Sequence, residues 1–469
     1  MHSNDLTNCS LVELASLVKR KEVSPVELVK DYLQRIEQRN GAINAIVTVA
    51  PDLLEQARGA EELMMRGEDV GPLHGMPLTI KDTIATAGIR TTSGSRLRKD
   101  FIPTTDATAV ARLKAAGAII LGKTNTPEMA IPYETENPIF GRTNNPYDLG
   151  LTAGGSSGGE AAAIATCLSP GGVGSDLSGS IRVPAHFCGI VGLKPTSGRI
   201  PMDGHLPIAG GTLAHGACLG PMARTVADVS LLFRVLAGIE AQASTDSASN
   251  SDQLRGFGVC WYDYDGVTPL SGDTRIAVGA AVKALEQAGL RCFEKQPPAV
   301  AEGSRLWVEL FAESSANDLR EFYSGREALA GPLARKILET AGQRTQRSPE
   351  ELAKALQERE RLRGELLAMM ESTPLIVAPV GATAAFPHNT SKVSVDGDAV
   401  SVFRAFSYAQ TFNVFDLPAV AVRAGRTTAG LPIGVQIVGR PFEELTVLKA
   451  AAIIEAAIGT SAPPAQIGC

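Results

Sequence analysis

Pro77-Leu78-Thr79-Ile80, a helical pattern over Ala107 to Ala116, and then Ala118-Ile119-Ile120-Leu121 form the stretch that decides the fold class. The two apolar runs are too short to be helices, and the segment between them is long enough for one. Similar short runs recur at Ile190 to Leu193, Pro374 to Ala378, Ala419 to Val422 and Ile433 to Val438. Helical patterns over Glu160 to Cys167, Val226 to Leu236, Thr274 to Ala288 and Glu444 to Ala457 lie between or after them. Strands alternating with helices predict an α/β fold: a mixed, mostly parallel central sheet covered by helices on both faces.

Outward from this core, the N-terminal part reads as helices. Ser10 to Glu13 and Ser24-Pro25-Val26-Glu27 look like capping boxes, the second with Pro at the first helical position. Leu28, Val29, Leu33 and Ile36 follow helical spacing, and Asn40-Gly41 is read as the stop. A third helix is expected over Pro51 to Met65. Gln242 to Gln253 is polar and of low complexity, and reads as a surface loop. From about Glu302 to Met370 a helix-rich segment interrupts the alternation, and Ser348-Pro349-Glu350-Glu351 starts its last long helix. There are no internal repeats, and residues 1–469 are read as a single domain.

Composition narrows the function. Apolar residues make up 44% of the 469 and charged residues 20%, ordinary for a globular protein that buries a large core. Aromatics are few at 5% while Gly is abundant at 47, which suits close helix-on-sheet packing. The net charge is −6 with no basic run, which argues against a nucleic-acid partner. Seven Cys stand at 9, 167, 188, 218, 260, 292 and 469 without a C-x-x-C pair. Neither a disulfide framework nor a structural zinc site is expected, and reduced thiols fit a cytoplasmic location. Met1 to Ser10 carries no apolar signal core, and no apolar stretch approaches the ~20 residues of a membrane span.

The chemistry concentrates in two loops. One is Gly154-Gly155-Ser156-Ser157-Gly158-Gly159, and the other is Gly174-Ser175-Asp176-Leu177-Ser178-Gly179-Ser180-Ile181-Arg182-Val183-Pro184. Gly lets backbone N–H groups face a ligand, and a Ser in such a loop can sit beside an oxyanion site. A phosphate cradle is the competing reading, but neither loop ends in G-K-[ST]; the second ends in Ser followed by Arg. A Ser nucleophile needs a base. Of six His, none sits in a motif suggesting that role, and the G-x-S-x-G elbow is absent around both Ser156 and Ser180. A Ser-His-Asp triad stays open, because sequence order does not forbid it. The other candidate is Lys81, which follows the apolar run and would be neutral if buried at the strand end. Taken alone, a Lys at a strand end is more often a solvated surface residue.

These segments resemble the amidase signature family over nearly the full length. The resemblance is carried by Gly75-Met76-Pro77-Leu78-Thr79-Ile80-Lys81-Asp82, by Gly122-Lys123-Thr124-Asn125-Thr126-Pro127-Glu128 and by the two Ser loops. Cys188-Gly189-Ile190-Val191-Gly192-Leu193-Lys194-Pro195-Thr196 and Leu431-Pro432-Ile433-Gly434-Val435-Gln436 continue it, while about 240 to 375 match poorly. The resemblance implies an amide-bond hydrolase with Ser180 as nucleophile, Ser156 as a bridging Ser after a cis peptide bond, and Lys81 as base. Backbone N–H groups of Leu177, Ser178, Gly179 and Ser180 would face the oxyanion. Asp176 and Arg182 would brace the loop, and Ser157 would support it. Ser178 departs from the family, which commonly has Gly there. Ala130, flanked by Met129 and Ile131, falls where family members line the acyl pocket, although all three also suit a core. Trp307, Leu310, Phe311 and Phe322 of the helix-rich segment would face substrate or simply pack helices.

The partner implied is a small amide-type molecule such as a carboxamide, anilide, hydrazide or carbamate. No metal or organic cofactor is implied, and a homodimer is allowed. The ammonia-releasing subunit of a glutamine-dependent tRNA amidotransferase is the first alternative, although Gly192 to Pro207 looks more like stand-alone amidases. A catalytically inactive binding protein on the same fold is the second.

Overall fold

The alternation beginning at residue 77 is built as read. The computed structural model describes residues 5–68, 71–131, 133–208, 210–239, 251–341, 347–461 and 464. Eleven strands form one sheet: β1 (Ile46–Val49), β2 (Pro77–Lys81), β3 (Ile119–Thr124), β4 (Gly171–Asp176), β5 (Val191–Lys194), β6 (Cys218–Ala223), β7 (Gly258–Trp261), β8 (Arg291–Glu294), β9 (Leu375–Pro379), β10 (Ala419–Arg426) and β11 (Pro432–Val438). Their order across the sheet is β1-β3-β2-β4-β6-β5-β10-β11-β9-β7-β8, and helices flank it. Leu78, Ile80, Ile120, Leu193, Val420 and Ile437 are fully buried in one continuous core.

The sheet is mixed, as expected, but its balance is not mostly parallel. β3, β2 and β4 run parallel at one end and β9, β7 and β8 at the other, whereas every pairing between β4 and β9 through the middle is antiparallel, as is β1 with β3. One of these pairings follows from its connection. β10 and β11 are joined by a turn of residues 427–431, and a connection so short can only return the chain antiparallel.

β4 gave no apolar signal because it is built from Gly. A Cβ on Gly172 would run into Thr79 and Glu160, and one on Gly174 would come 2.7 Å from Ser157 Oγ. At these two positions the strand is pressed against β2 and the start of the helix Gly158–Ala165, and only Gly fits.

Ser10 and Glu13 form the expected capping box, and so do Ser348 and Glu351. Ser24 differs: its hydroxyl accepts from Val26 and Glu27 N–H and donates to Glu61, and the Glu27 side chain does not close the reciprocal half of the box. That helix also continues past Asn40-Gly41 to Ile43 and ends at Asn44 in the left-handed conformation. Asn40 reaches beyond the stop, its side-chain oxygen accepting from Ala45 and Ile46 N–H. Of the polar stretch Gln242 to Gln253, residues 242–250 lie outside the described residues. No helix among the described residues is long and apolar enough to cross a membrane.

Candidate active site

Lys81 ends β2, a strand buried along its whole length, and its side chain is 0% exposed. Its Nζ lies 2.7 Å from Ser156 Oγ and 2.9 Å from Ser175 Oγ. Burial pulls the amine down to about 7, against the opposing pull of Asp176 and Glu160. The Gly155–Ser156 peptide bond is cis, as the family resemblance implies. The Ser156 carbonyl is held by the Thr126 hydroxyl at 3.0 Å.

Ser180 sits between the end of β4 and the helix Arg182–Cys188, 7% exposed. It lines one cavity of about 660 Å³ together with Ser156, Ser175, Asp176, Leu177 and Ser178. Ser156 and Ser180 share this wall without a hydrogen bond between their hydroxyls in the present conformation. Ser157 ties the two loops together: its N–H donates to the Ser180 carbonyl at 3.1 Å, and its Oγ accepts from Ser175 N–H at 3.3 Å.

Asp176 and Arg182 pair as expected, at 3.1 Å and fully buried. Arg182 also donates to Gln436 at 2.7 Å and to Asn413 at 2.6 Å. Although burial pushes the Asp176 carboxyl up, the Arg182 guanidinium holds it well below the usual carboxylate range. The same carboxylate accepts the N–H groups of Gly179 at 2.8 Å and Ile181 at 3.1 Å. This corrects one expected oxyanion donor: the Gly179 N–H is committed to Asp176 and does not face the cavity as a free donor. Gly179 has φ +102°, a conformation that favours Gly at this turn. The N–H groups of Leu177, Ser178 and Ser180 carry no such commitment.

Two residues from outside the loop fix its carbonyls. Trp307 Nε1 donates to the Leu177 carbonyl at 2.8 Å, and the Tyr133 hydroxyl donates to the Ser178 carbonyl at 2.7 Å. Of the four aromatic and aliphatic residues singled out in the helix-rich segment, Trp307 lines the cavity. Leu310 and Phe311 are packed in the core, and Phe322 stacks edge-on against Tyr323 in a satellite cluster. Met129, Ala130 and Ile131 all line the cavity, with Met129 and Ala130 in the left-handed conformation.

Sequence reasoning passed over Ser175 and His205. His205 Nε2 lies 3.0 Å from Ser175 Oγ, so four polar side chains, Lys81, Ser156, Ser175 and His205, are linked where the sequence reading joined only Lys81 and Ser156. Ser175 stood inside the quoted loop, but nothing local marks His205 as its neighbour. Among the described residues, no group of three or more His, Cys, Asp or Glu is placed to hold a metal.

A family model described as "Amidase" matches residues 27–448. A glutamyl-tRNA(Gln) amidotransferase subunit of Carboxydothermus hydrogenoformans is 36% identical over 485 residues, covering 96% of this chain and 97% of that protein. An acylamidase of Rhodococcus erythropolis is 35% identical over 478 residues, covering 97% of both. The crystal structure of a bacterial aryl acylamidase superposes with a TM-score of 0.85 at 27% identity, covering 98% of this chain and 97% of that one.

Proposed function

The chain belongs to the amidase family, and we propose that it hydrolyses amide-type carbon–nitrogen bonds through an acyl-enzyme on Ser180. The observation that carries this reading is the 2.7 Å contact between a fully buried Lys81 and Ser156 Oγ on the wall that also holds Ser180. Neutral Lys81 takes the proton of Ser156, which takes that of Ser180. The Ser180 oxygen bonds to the carbonyl carbon, and the carbonyl electron pair moves onto its oxygen. The N–H groups of Leu177, Ser178 and Ser180 face that charge. The relay returns the proton to the leaving nitrogen as the carbon–nitrogen bond breaks, and water then frees the acyl group by the same route. The Ser156-to-Ser180 step requires a contact that tightens when substrate fills the site, as catalytic hydrogen bonds commonly do.

The cavity wall supports a bulky apolar acyl group. Met129, Ala130, Ile131 and Leu213 line it together with an aromatic group in which Tyr133 and Trp307 both pack against Phe403. The helical segment from about 302 to 370 caps this site in the proposed reading, with Trp307 as its contact to the oxyanion loop. Carboxamides, anilides, hydrazides and carbamates all suit the loops, which address the carbonyl.

A second reading, the ammonia-releasing subunit of a glutamine-dependent amidotransferase, is favoured by the full-length likeness to a protein of that kind. Two measurements on the purified chain decide. A panel of chromogenic anilides, hydrazides and esters should be hydrolysed without glutamine, ATP or tRNA. A fluorophosphonate should label the peptide containing Ser180. Turnover only after adding partner subunits favours the second reading, and label on Ser156 or Ser157 overturns the nucleophile.

A further inference from the structure

Lys81 has a second hydroxyl neighbour besides Ser156. Its Nζ is 2.9 Å from Ser175 Oγ, which is 3.0 Å from His205 Nε2. The other ring nitrogen, Nδ1, is 2.7 Å from the Pro207 carbonyl oxygen. A carbonyl only accepts, so Nδ1 carries the hydrogen and Nε2 offers a lone pair. The single hydroxyl hydrogen of Ser175 then points to His205, and Ser175 presents only lone pairs to Lys81.

The ring is held in place by the segment that follows Lys81. Ala85 N–H donates to the Gly204 carbonyl at 2.9 Å, Leu206 N–H donates to the Thr83 carbonyl at 2.9 Å, and Ile84 bridges to His205 in antiparallel fashion. Burial, with the Lys81 charge adding to it, pulls His205 down to about 3, so the imidazole stays neutral and keeps its lone pair.

We infer that His205 is a positioning residue for the base: by accepting the Ser175 hydroxyl hydrogen, it makes Ser175 an acceptor for Lys81 and reserves the Lys81 lone pair for Ser156. A neutral amine has one lone pair and two hydrogens. A Ser175 free to rotate would donate to that lone pair and compete with the Ser156 hydroxyl for it. No proton passes through His205, which ends each turnover as it began. The inference rests on the proposed role of Lys81 as base.

The test is kcat and KM on one anilide for His205→Leu, His205→Gln, Ser175→Ala and the double variant Ser175→Ala/His205→Leu, with Lys81→Ala as reference. His205→Leu should lower kcat about 10- to 100-fold, less than the ~100- to 10,000-fold expected for losing a general base, with KM unchanged. The Gln side-chain oxygen can accept from Ser175, so His205→Gln should recover most of that loss. Because His205 acts through Ser175, the double variant should be no slower than Ser175→Ala alone. If His205→Leu does not fold, His205→Asn, whose oxygen falls short of Ser175, replaces it with the same expectation. Losses that multiply in the double variant, a change confined to KM, or a Gln variant as slow as Leu would each overturn the inference. Normal turnover in His205→Leu beside a dead Lys81→Ala overturns the inference alone, whereas normal turnover in Lys81→Ala sinks it together with the assignment of the base.

Discussion

Two lysines stand on neighbouring parallel strands, Lys81 at the end of β2 and Lys123 within β3, and both are fully buried. Burial pulls each of them down to about 7, and Glu160, whose carboxylate accepts from Thr79 and Thr124, draws both the other way. By burial and charge the two are near twins. Their partners differ. Lys123 donates to the Ile84 carbonyl and, at 2.9 Å, to the Thr86 hydroxyl, which lies close to its own acceptor, the Ile84 carbonyl. A carbonyl has no proton to give, and neither partner lines the cavity. Lys81 meets two hydroxyls, Ser156 and Ser175, that both line it. A depressed lysine is therefore a candidate base only where an acidic hydrogen and a substrate can reach it; elsewhere it is a buried donor holding a loop.

The largest expected effect separates the twins directly. Lys81→Ala should lower kcat/KM by roughly 100- to 10,000-fold, the usual worth of a general base, while the protein stays folded. Lys123→Met should instead lower stability by about 1–3 kcal/mol, since it removes the buried donor shared by the Ile84 carbonyl and the Thr86 hydroxyl and leaves that carbonyl only the longer Thr86 contact, and leave turnover of the folded fraction near normal. Kinetics with urea melts on both variants measures this. A stable, inactive Lys123→Met protein would break the comparison.

The pH profile sharpens it. Below about 7 Lys81 carries its proton and accepts none, so kcat/KM should rise with pH through that region, about tenfold per unit on the acid side, to an alkaline plateau. Among the groups facing Lys81, Asp176 stays charged and His205 stays neutral throughout, while Glu160, pushed up to about 7 by burial, titrates alongside. Lys123→Met should keep the limb and Lys81→Ala should lose it. A limb that vanishes on replacing a His instead would transfer the base role to that residue.

What could be read from sequence followed from how local each signal is. Lys81, Ser156 and Ser180 sit in contiguous motifs, and the strands from Pro77 and Ile433 announce themselves by apolar runs. β4 was invisible because its signal, a run of Gly, records what packs against it, Thr79 and Glu160 among others, rather than a local preference. Strand direction was misjudged where a turn replaced a crossover helix. His205 was missed because its partner, Ser175, is distant in the chain, and Gly179 was assigned a free N–H because nothing local shows that Asp176 turns back to take it.

A smaller effect is expected at Trp307. Its indole N–H fixes the Leu177 carbonyl, and since a peptide unit is planar, it thereby fixes the direction of the Ser178 N–H. Trp307→Phe keeps an aromatic wall and removes the bond. Losing one oxyanion donor outright costs roughly 100- to 1000-fold, so loosening one should cost kcat less, about tenfold. If KM alone changes, Trp307 is wall and nothing more.

The smallest effect asks how far the cavity side of the comparison reaches. Ser178 lines the cavity half-buried, with its carbonyl held by Tyr133. Its own backbone does not need Gly, because the left-handed turn falls on Gly179. Ser178→Gly therefore removes a side chain from the acyl wall without relieving strain, at a cost in backbone freedom of roughly 0.5–1 kcal/mol. The Lys81 contacts are untouched, so the pH limb should stay where it is. Removing one small group from a wall changes discrimination by about tenfold at the low end of what a methylene is worth. The ratio of kcat/KM between a bulky and a small acyl group should accordingly shift toward the bulky one. An unchanged ratio across the panel would mean that the Ser178 side chain points away from substrate, and that the departure from Gly at this position has no part in choosing it.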